Sequence, residues 1–288
     1  MNKLDATALS RRSLLQTLGT TPLALAGLGA LAPVLTAGEA HAAPPRVGPL
    51  VWSDDFNSFN SAKWRKAPDN WTDKYGTIVA WDPALVTCAN SKLRLRVEKR
   101  GGKWYGGLVH GRGLTAWKYG YFEIRAKVPA GQGLWSALWM MPRDNAYGYW
   151  PRSGEIDILE YLGRTGENTN GYSTLHYARD GAGNHAQNYR AATATNWSQA
   201  WHTWSVLWDQ NPDGSEFFRF YVDGRAYGEM DESQWHSVNG YAKGSPFDRP
   251  FYLILNQTVG GDWAGAPTEG VSGRYMEIDW IRVYKPRP

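Results

Sequence analysis

Three acidic residues lie close together in residues 154–161, which read GEIDILEY and are typical of a β-strand. Because side chains alternate between the two faces of a strand, Glu155 and Asp157 share one face, and the isoleucines beside them point into the core. Glu160 has the opposite parity. One β-bulge near residues 158–159 would return Glu160 to the face of Glu155, because a bulge inserts one unpaired residue. The segment therefore predicts three carboxylates on one face of a bulged strand.

Carboxylates at this density can perform nucleophilic and acid–base chemistry. Their mutual repulsion separates their pKa values and leaves a proton donor beside an ionised nucleophile. Glu155 and Glu160 would lie roughly 13 Å apart at Cα, at about 3.3 Å per residue. Side chains that lean together can reduce this gap to the carboxyl separation of about 5–5.5 Å that retaining glycosidases use. The strand alone fits a solvated acidic face or a calcium site equally well.

Tryptophans surround the acidic segment in the sequence, and the whole chain has 16 of them. Trp150 shortly precedes the segment, Trp135 and Trp139 lie in the apolar run before it, and Trp263 follows a Gly-Gly-Asp sequence. Flat aromatic rings stack on the apolar faces of sugars, and Trp is rigid and amphipathic. Any single Trp fits the core as well. Together, the four predict platforms for a sugar chain beside the carboxylates.

The composition of the 288-residue chain is that of a folded protein, with 42% hydrophobic and 20% charged residues. The net charge of +4 is small and evenly scattered, too weak to form a binding surface for nucleic acid. Cys88 is the only cysteine, which excludes an internal disulfide and a cysteine-rich zinc site. We expect its thiol to be buried and inert.

Strand patterns recur along the chain after residue 50, and no convincing helical periodicity interrupts them. Alternating or β-rich runs closed by Gly, Pro, Asn or Asp occupy residues 93–97, 119–128, 217–222, 251–255 and 276–284. Asp223 and Gly224 form a hairpin turn signal. Since no linker or repeat divides residues 43–288, they are predicted to form one all-β domain, a sandwich of two sheets.

The first 42 residues have the features of an export signal. Twin arginines, Arg11 and Arg12, precede an apolar stretch over residues 14–35, and the small-residue sequence Ala-His-Ala ends at Ala42. The arginine pair resembles a twin-arginine signal. Glycines and prolines within the stretch disfavour the alternative, an uncleaved membrane anchor. We expect cleavage after Ala42 and a secreted protein without membrane association.

Residues 150–161, WPRSGEIDILEY, resemble the signature of glycoside hydrolase family 16. The form resembled is the bulged E-x-D-x-x-E of its laminarinase-like endo-β-1,3-glucanases, rather than the unbulged form of the lichenases. Further blocks similar to the family follow one another in order at residues 119–127, 131–142, 201–204, 218–224, 250–256, 259–263 and 279–284. The resemblance thus covers residues 50–284.

The resemblance implies a concanavalin A-like β-jelly-roll, in which two curved antiparallel sheets form a concave substrate cleft. By the family's pattern, Glu155 is the nucleophile that forms a covalent glycosyl–enzyme. Glu160 is the general acid, and afterwards the general base that activates water. Asp157 lies between them and would hydrogen-bond the nucleophile and help to set the distribution of protons.

The resemblance also implies binding residues. His176 matches a position that lines the cleft beside the reacting sugar, and Asn256 ends one of the matching blocks. The predicted substrate-binding set is Trp135, Trp139, Trp150, His176, Asn256 and Trp263. Asp279 matches a ligand of a structural calcium ion, whereas the chemistry itself needs no cofactor. The expected partner is a polysaccharide, bound by a monomer.

Three segments depart from the family's pattern, at residues 105–113, 178–185 and 257–258. We expect them to be loop and rim positions, where specificity is set. The substrate therefore stays open between β-1,3-glucan, mixed-linkage β-glucan and a β-galactan. A catalytically inactive glycan-binding sandwich of the same fold is the alternative from another class of protein. The intact trio of Glu155, Asp157 and Glu160 favours an enzyme, and transglycosylation would use the same covalent intermediate.

Overall fold

A computed structural model of the protein describes residues 45–67, 79–179, 182–192, 196–235 and 243–286. The strands are β1 Leu50–Asp54, β2 Arg65–Lys66, β3 Val79–Trp81, β4 Val86–Cys88, β5 Leu93–Arg100, β6 Lys103–His110, β7 Gly120–Lys127, β8 Leu134–Pro142, β9 Glu155–Leu162, β10 Asn170–Arg179, β11 Ala182–Ala192, β12 His202–Gln210, β13 Glu216–Val222, β14 Arg225–Asp231, β15 Phe251–Val259 and β16 Tyr275–Tyr284. One short helix, α1 Gly261–Ala264, and single 3-10 turns at Pro83–Leu85, Trp197–Gln199 and Glu269–Val271 complete the described part. The predicted export signal lies outside the described residues.

The strands form two layers that are joined at one side. The first layer has the order β11-β10-β9-β8-β15-β6, with β2 at its edge on β6. The second layer has the order β5-β16-β7-β12-β13-β14, with β1 on β16 and β4 on β5. The hairpin of β5 and β6 connects the layers, and the pairs are antiparallel except for β3 with β6. This architecture confirms the predicted all-β jelly-roll sandwich.

The main hydrophobic core lies between the two layers. From the first layer, β9 contributes Ile156, Ile158 and Tyr161, all fully buried. From the second layer, large aromatic residues such as Trp204 and Phe220 fill the space opposite them. Each such side chain contributes about 1.5–3 kcal/mol on burial. The core therefore fixes which face of β9 points inward and leaves its other face, here called the site face, for polar side chains.

The strands predicted from alternation are present, each within a few residues of its expected bounds. The turn between β13 and β14 is the predicted Asp223-Gly224 hairpin, in which both residues have positive φ, at 49° and 74°. Such a pair of left-handed residues defines a two-residue turn whose twist matches that of the flanking strands. Cys88 is only partly buried, and burial raises the pKa of its thiol, which keeps the thiol protonated. No helix in the described ranges is long and apolar enough to cross a membrane.

All three segments expected to be loops or rim contain parts of strands, and of residues 178–185 the first two end β10 and the last four begin β11. Residues 105–110 belong to β6, which pairs with β5, β15 and β2. Gln257 lies on β15 and is completely buried, where Ser136 Oγ donates a hydrogen bond to its Oε1 at 2.5 Å. The prediction for Gln257 was wrong because a polar residue in a sequence usually indicates an exposed position. Here a hydroxyl on the neighbouring strand satisfies it inside the protein.

Candidate active site

The bulge predicted in β9 is present. Leu159 pairs with Leu138 of β8, but the next pair joins Asp157 to Trp139, so the register skips Ile158. The pairing of β9 with its other neighbour, β10, shows the same shift. Tyr172 pairs with Glu160 and Thr174 pairs with Asp157, so two residues of β10 face three of β9. Because the extra residue resets the alternation, Glu160 faces the same side as Glu155 and Asp157.

The three carboxylates are deeply buried although they lie on the site face. The exposed fraction is 2% for Glu155, zero for Asp157 and 6% for Glu160. The Trp150 indole donates a hydrogen bond from Nε1 to Oε2 of Glu155 at 2.6 Å. A donor of this kind favours the ionised carboxylate and fixes its orientation. The indole N–H therefore fixes the orientation of the Glu155 carboxyl group.

His176 supplies positive charge to this acidic cluster. Its Nε2 lies 3.1 Å from Oδ2 of Asp157, and its ring lies 5.8 Å from that of Trp150. Burial lowers the pKa of His176, but the hydrogen bond to Asp157 and the charges of the three carboxylates outweigh burial and raise this pKa to about 9. The imidazole is therefore protonated at neutral pH and offsets part of the carboxylate repulsion.

The cluster could also have been a metal site, as the strand alone allowed. Glu155, Asp157 and His176 offer ligand atoms that all lie within 4.8 Å of one another. A metal needs the neutral imidazole, however, and here the proton on His176 provides the compensating charge. The acidic cluster consequently has an internal counter-charge that does not depend on a metal ion.

The charge on His176 predicts how stability depends on pH. Because the pKa of His176 is higher in the folded protein, at about 9, than in the unfolded chain, at 6.5, its stabilisation is complete below pH 6.5 and is lost as the pH rises through about 9. The effect is of the order of 3 kcal/mol. Thermal unfolding between pH 6.5 and 9.5 should show a falling Tm in the native protein and a flatter dependence in His176→Asn. Parallel curves for the two proteins would contradict a charged His176.

The aromatic candidates surround the carboxylates on both sides. Trp139, opposite Asp157, donates a hydrogen bond from Nε1 to Oδ1 of Asn256 at 2.7 Å. Further along, the rings of Trp135 and Trp263 meet edge to face at 5.1 Å. The structure thus brings the six predicted substrate-binding residues together with the catalytic candidates.

Sequence reasoning missed two tyrosines on the same face. Tyr172 lies opposite Glu160 on β10, and its ring is 5.3 Å from that of Trp263. Tyr252 lies on β15 in a small cluster of buried side chains that includes Trp139. Counting every second residue from His176, and likewise from Asn256, would have found both, since each is an even number of residues away on the same strand.

Asp279 is separate from this site, on β16 of the second layer. Its carboxylate pairs with the guanidinium of Arg125, and Lys92 Nζ lies 3.5 Å from its other oxygen. Calcium takes about six to eight oxygen ligands, whereas here both carboxylate oxygens face cations. The residues around Asp279 therefore do not fit the predicted calcium ion, because ion pairs replace it, and no catalytic step involves that ion.

The fold and the site together define a jelly-roll protein with the paired carboxylates of a glycosidase. The model of the family described as "Beta-porphyranase A-D, GH16 domain" matches residues 50–286. The chain accordingly belongs to glycoside hydrolase family 16.

Individual relatives place the chain among enzymes named for different polysaccharides. It is 30% identical to "Glucan endo-1,3-beta-glucosidase A1" of Niallia circulans, with 82% of this chain and 38% of the relative covered. It is 34% identical to "Keratan-sulfate endo-1,4-beta-galactosidase" of Sphingobacterium multivorum, with 82% and 55% covered. The chain thus spans about a third to a half of the length of these two relatives. The laminarinase structure from Flavobacterium sp. UMI-01 superposes with a TM-score of 0.72 at 27% identity, covering 82% of this chain and all of that one.

Proposed function

We propose that the chain is a secreted, endo-acting glycosidase that hydrolyses β-1,3-glucan with retention of configuration. The bulge in β9 carries this proposal, because it places Glu155 and Glu160 on one face with Asp157 between them. A double displacement uses two carboxyl groups on one face, one as nucleophile and one as acid and base, about 5–5.5 Å apart.

In the first step, Glu160 donates its proton to the glycosidic oxygen while Glu155 attacks the anomeric carbon. The carbon–oxygen bond of the glycoside breaks, the sugar chain leaves as an alcohol, and an ester joins the remaining sugar to Glu155. In the second step, the Glu160 carboxylate takes a proton from water, and the water oxygen displaces Glu155 from the anomeric carbon. Two inversions give net retention.

The neighbouring side chains prepare this sequence. Trp150 holds Glu155 through the hydrogen bond to Oε2, and His176 holds Asp157. With one imidazolium among three carboxylates, one further proton on Glu160 leaves the cluster with a single net negative charge. This net charge is unchanged when the ester forms, because Glu155 loses its charge as Glu160 gives up its proton. Asp157 then acts as a positioning residue through its charge.

The aromatic side chains are proposed to bind the sugar chain on either side of the scissile bond. Trp139 and Trp150 lie beside Asp157 and Glu155, and Trp135, Trp263 and Tyr172 lie beyond Glu160. The partly exposed rings of Trp150, Tyr172 and Trp263 offer stacking faces for sugars. Trp135 and Trp139 are buried and lie beneath this surface. Asn256, bonded to Trp139, would fix the orientation of that indole.

Export by the twin-arginine signal of residues 1–42, and action as a monomer, complete this proposal. The sequence of the signal supports export, because charged, apolar and small-residue regions follow one another in the required order. Neither export nor action as a monomer requires a cofactor.

A β-galactan is a second candidate substrate. Two observations favour it. The description of the matching family model names a porphyranase, and the Sphingobacterium relative is named for a galactosidase activity. Mixed-linkage β-glucan would need the same carboxylates. A non-catalytic binding module would not need the buried acidic cluster, whose burial costs free energy.

The proposal predicts hydrolysis of laminarin in preference to other β-glycans. Release of reducing sugars by the full chain is measured on laminarin, barley mixed-linkage glucan, agarose and β-1,3-galactan. Strong activity on laminarin is the expected result. Activity confined to a galactan would retain the mechanism and replace the substrate, and binding without hydrolysis of any of the four would indicate the binding module.

A further inference from the structure

A group of basic side chains lies at the edge of the site face, remote from the carboxylates. Arg65 of β2 pairs directly with His110 of β6, so both side chains leave the sheet on the same side. His110 has the parity of Leu108, which packs with Trp139 and Tyr252 on the site face, whereas Val109 points into the main core. Arg112 follows on the chain, and its backbone N–H donates to Nδ1 of His110 at 3.3 Å.

The two arginines both place positive charge near His110. Burial, together with the positive charges of Arg112 and Arg65, lowers the pKa of His110 to about 4. His110 is therefore neutral at pH 7 and provides hydrogen bonds rather than charge. No described residue forms an ion pair with Arg65 or Arg112, whereas many surface arginines have a carboxylate partner, as in Arg94–Glu277, Arg125–Asp279 and Arg219–Glu229.

One row of cross-strand neighbours connects this basic group to the catalytic centre. His110 pairs with Ile254, Ile254 with Trp139, and Trp139 with Asp157. Three strand spacings of about 4.8 Å give a separation of about 14 Å between His110 and Asp157. A short oligosaccharide that lies across the strands spans this distance.

The surface between them suits a sugar chain. Trp81 and Trp150 pack against the cluster that contains Trp139, and the rings of His110 and Tyr252 meet at 6.5 Å. Burial raises the pKa of Tyr252, the positive charge of Arg112 lowers it, and the negative charge of Glu155 raises it. The aromatic surface is thus continuous from the carboxylates to the arginines.

We propose that Arg65, His110 and Arg112 form an anion subsite, which binds a sulfate ester or carboxylate on a sugar two or more units away from the scissile bond. Like charges in proximity are unfavourable, and a guanidinium fork matches an oxyanion through paired N–H donors. A neutral glucan offers no group that would offset this repulsion. The inference deepens the proposed function, on which it rests, by adding an anionic substituent to the substrate chain.

The distance from the carboxylates is part of the argument. An anionic substituent on the reacting sugar would meet the negative charges of Glu155, Asp157 and Glu160 at short range. At a backbone separation of about 14 Å, that repulsion is weaker than it would be on the reacting sugar, because it falls with distance. The arginines therefore lie where an anion can be bound without opposing the chemistry.

The test measures binding without hydrolysis, so that it does not depend on the proposed reaction. In the background of Glu155→Gln, affinity electrophoresis compares gels that contain laminarin, sulfated laminarin or carboxymethyl laminarin. A further pair of gels contains keratan sulfate and its desulfated form. We expect retention by at least one anionic polysaccharide to exceed that by its neutral counterpart at least tenfold.

The arginine variants then locate the effect. Arg112→Gln and Arg65→Gln should each weaken binding of the anionic form about tenfold, equivalent to about 1.4 kcal/mol, and Arg112→Lys should restore part of it. The matched control is Arg225→Gln, an exposed arginine on β14 at the far edge of the second layer, which should bind like its parent. Circular dichroism checks that each variant is folded.

The outcomes separate the inference from the proposed function. Preference for sulfated and carboxymethylated laminarin alike assigns an oxyanion site, and preference for sulfated forms alone assigns a sulfate ester site. Equal binding of anionic and neutral forms overturns the inference, even where laminarin is hydrolysed. Equal losses in Arg112→Gln and Arg225→Gln also overturn it, because the effect would then reflect overall charge.

Discussion

Replacing Glu155 by Gln should reduce kcat on the active polysaccharide by about 10⁴-fold or more, the range seen when a covalent nucleophile is removed. The amide is nearly isosteric with the carboxylate and still accepts the hydrogen bond from Trp150 Nε1. It lacks the negative charge and the nucleophilic oxygen, however, so no glycosyl ester forms. The measurement is the initial rate of reducing-sugar release, with KM determined wherever a rate remains.

The control for this variant is Glu229→Gln, which removes a carboxylate of the same type from β14 in the second layer. Its carboxylate forms an ion pair with Arg219 at the surface, and such pairs contribute about 0–1 kcal/mol. Glu229→Gln should therefore keep native activity. Native rates in Glu155→Gln, measured with protein shown to be folded by circular dichroism, would refute the assignment of the nucleophile.

The site was predictable from the sequence to the extent that local alternation determines it. The parity of Glu155 and Asp157 follows from a single strand, and the apolar residues between them identify the inward face. Even the bulge follows locally, since Glu160 reaches the other carboxylates only if one residue is unpaired. Each of these inferences uses information within eight consecutive residues, and the structure confirms the arrangement.

What the sequence did not reveal depends on which strands become neighbours. Arg65 and His110 are distant in the chain, and only the pairing of β2 with β6 places them on one face. Similarly, Asp279 meets Arg125 and Lys92 because β16 lies beside β7 and close to the start of β5. The charge of His176 is another case, since its pKa reflects three carboxylates on the adjacent strand.

Glu160→Ala should lose about 10²–10⁴-fold in activity on polysaccharide, the usual contribution of a general acid–base residue. The loss should depend on the leaving group, because Glu155 can still attack. An aryl β-glycoside with an acidic phenol needs no protonation to depart, so it should form the glycosyl–enzyme at a nearly native rate. Hydrolysis of that intermediate should then be slow, since no base remains to activate water. A burst of phenol followed by a slow steady state is the expected time course.

Azide provides the decisive addition, because it is an anionic nucleophile that needs no base. It should accelerate the steady state of Glu160→Ala and give a glycosyl azide of β configuration, the result of attack on an α-linked ester of Glu155. Because alanine is smaller than glutamate, the Glu160→Ala variant has space for azide where the native carboxyl group, which is 6% exposed, lies. Proton NMR of the product determines its configuration. An α-azide would exchange the roles of Glu155 and Glu160, since it would show that the nucleophile had been removed and that azide had taken its place.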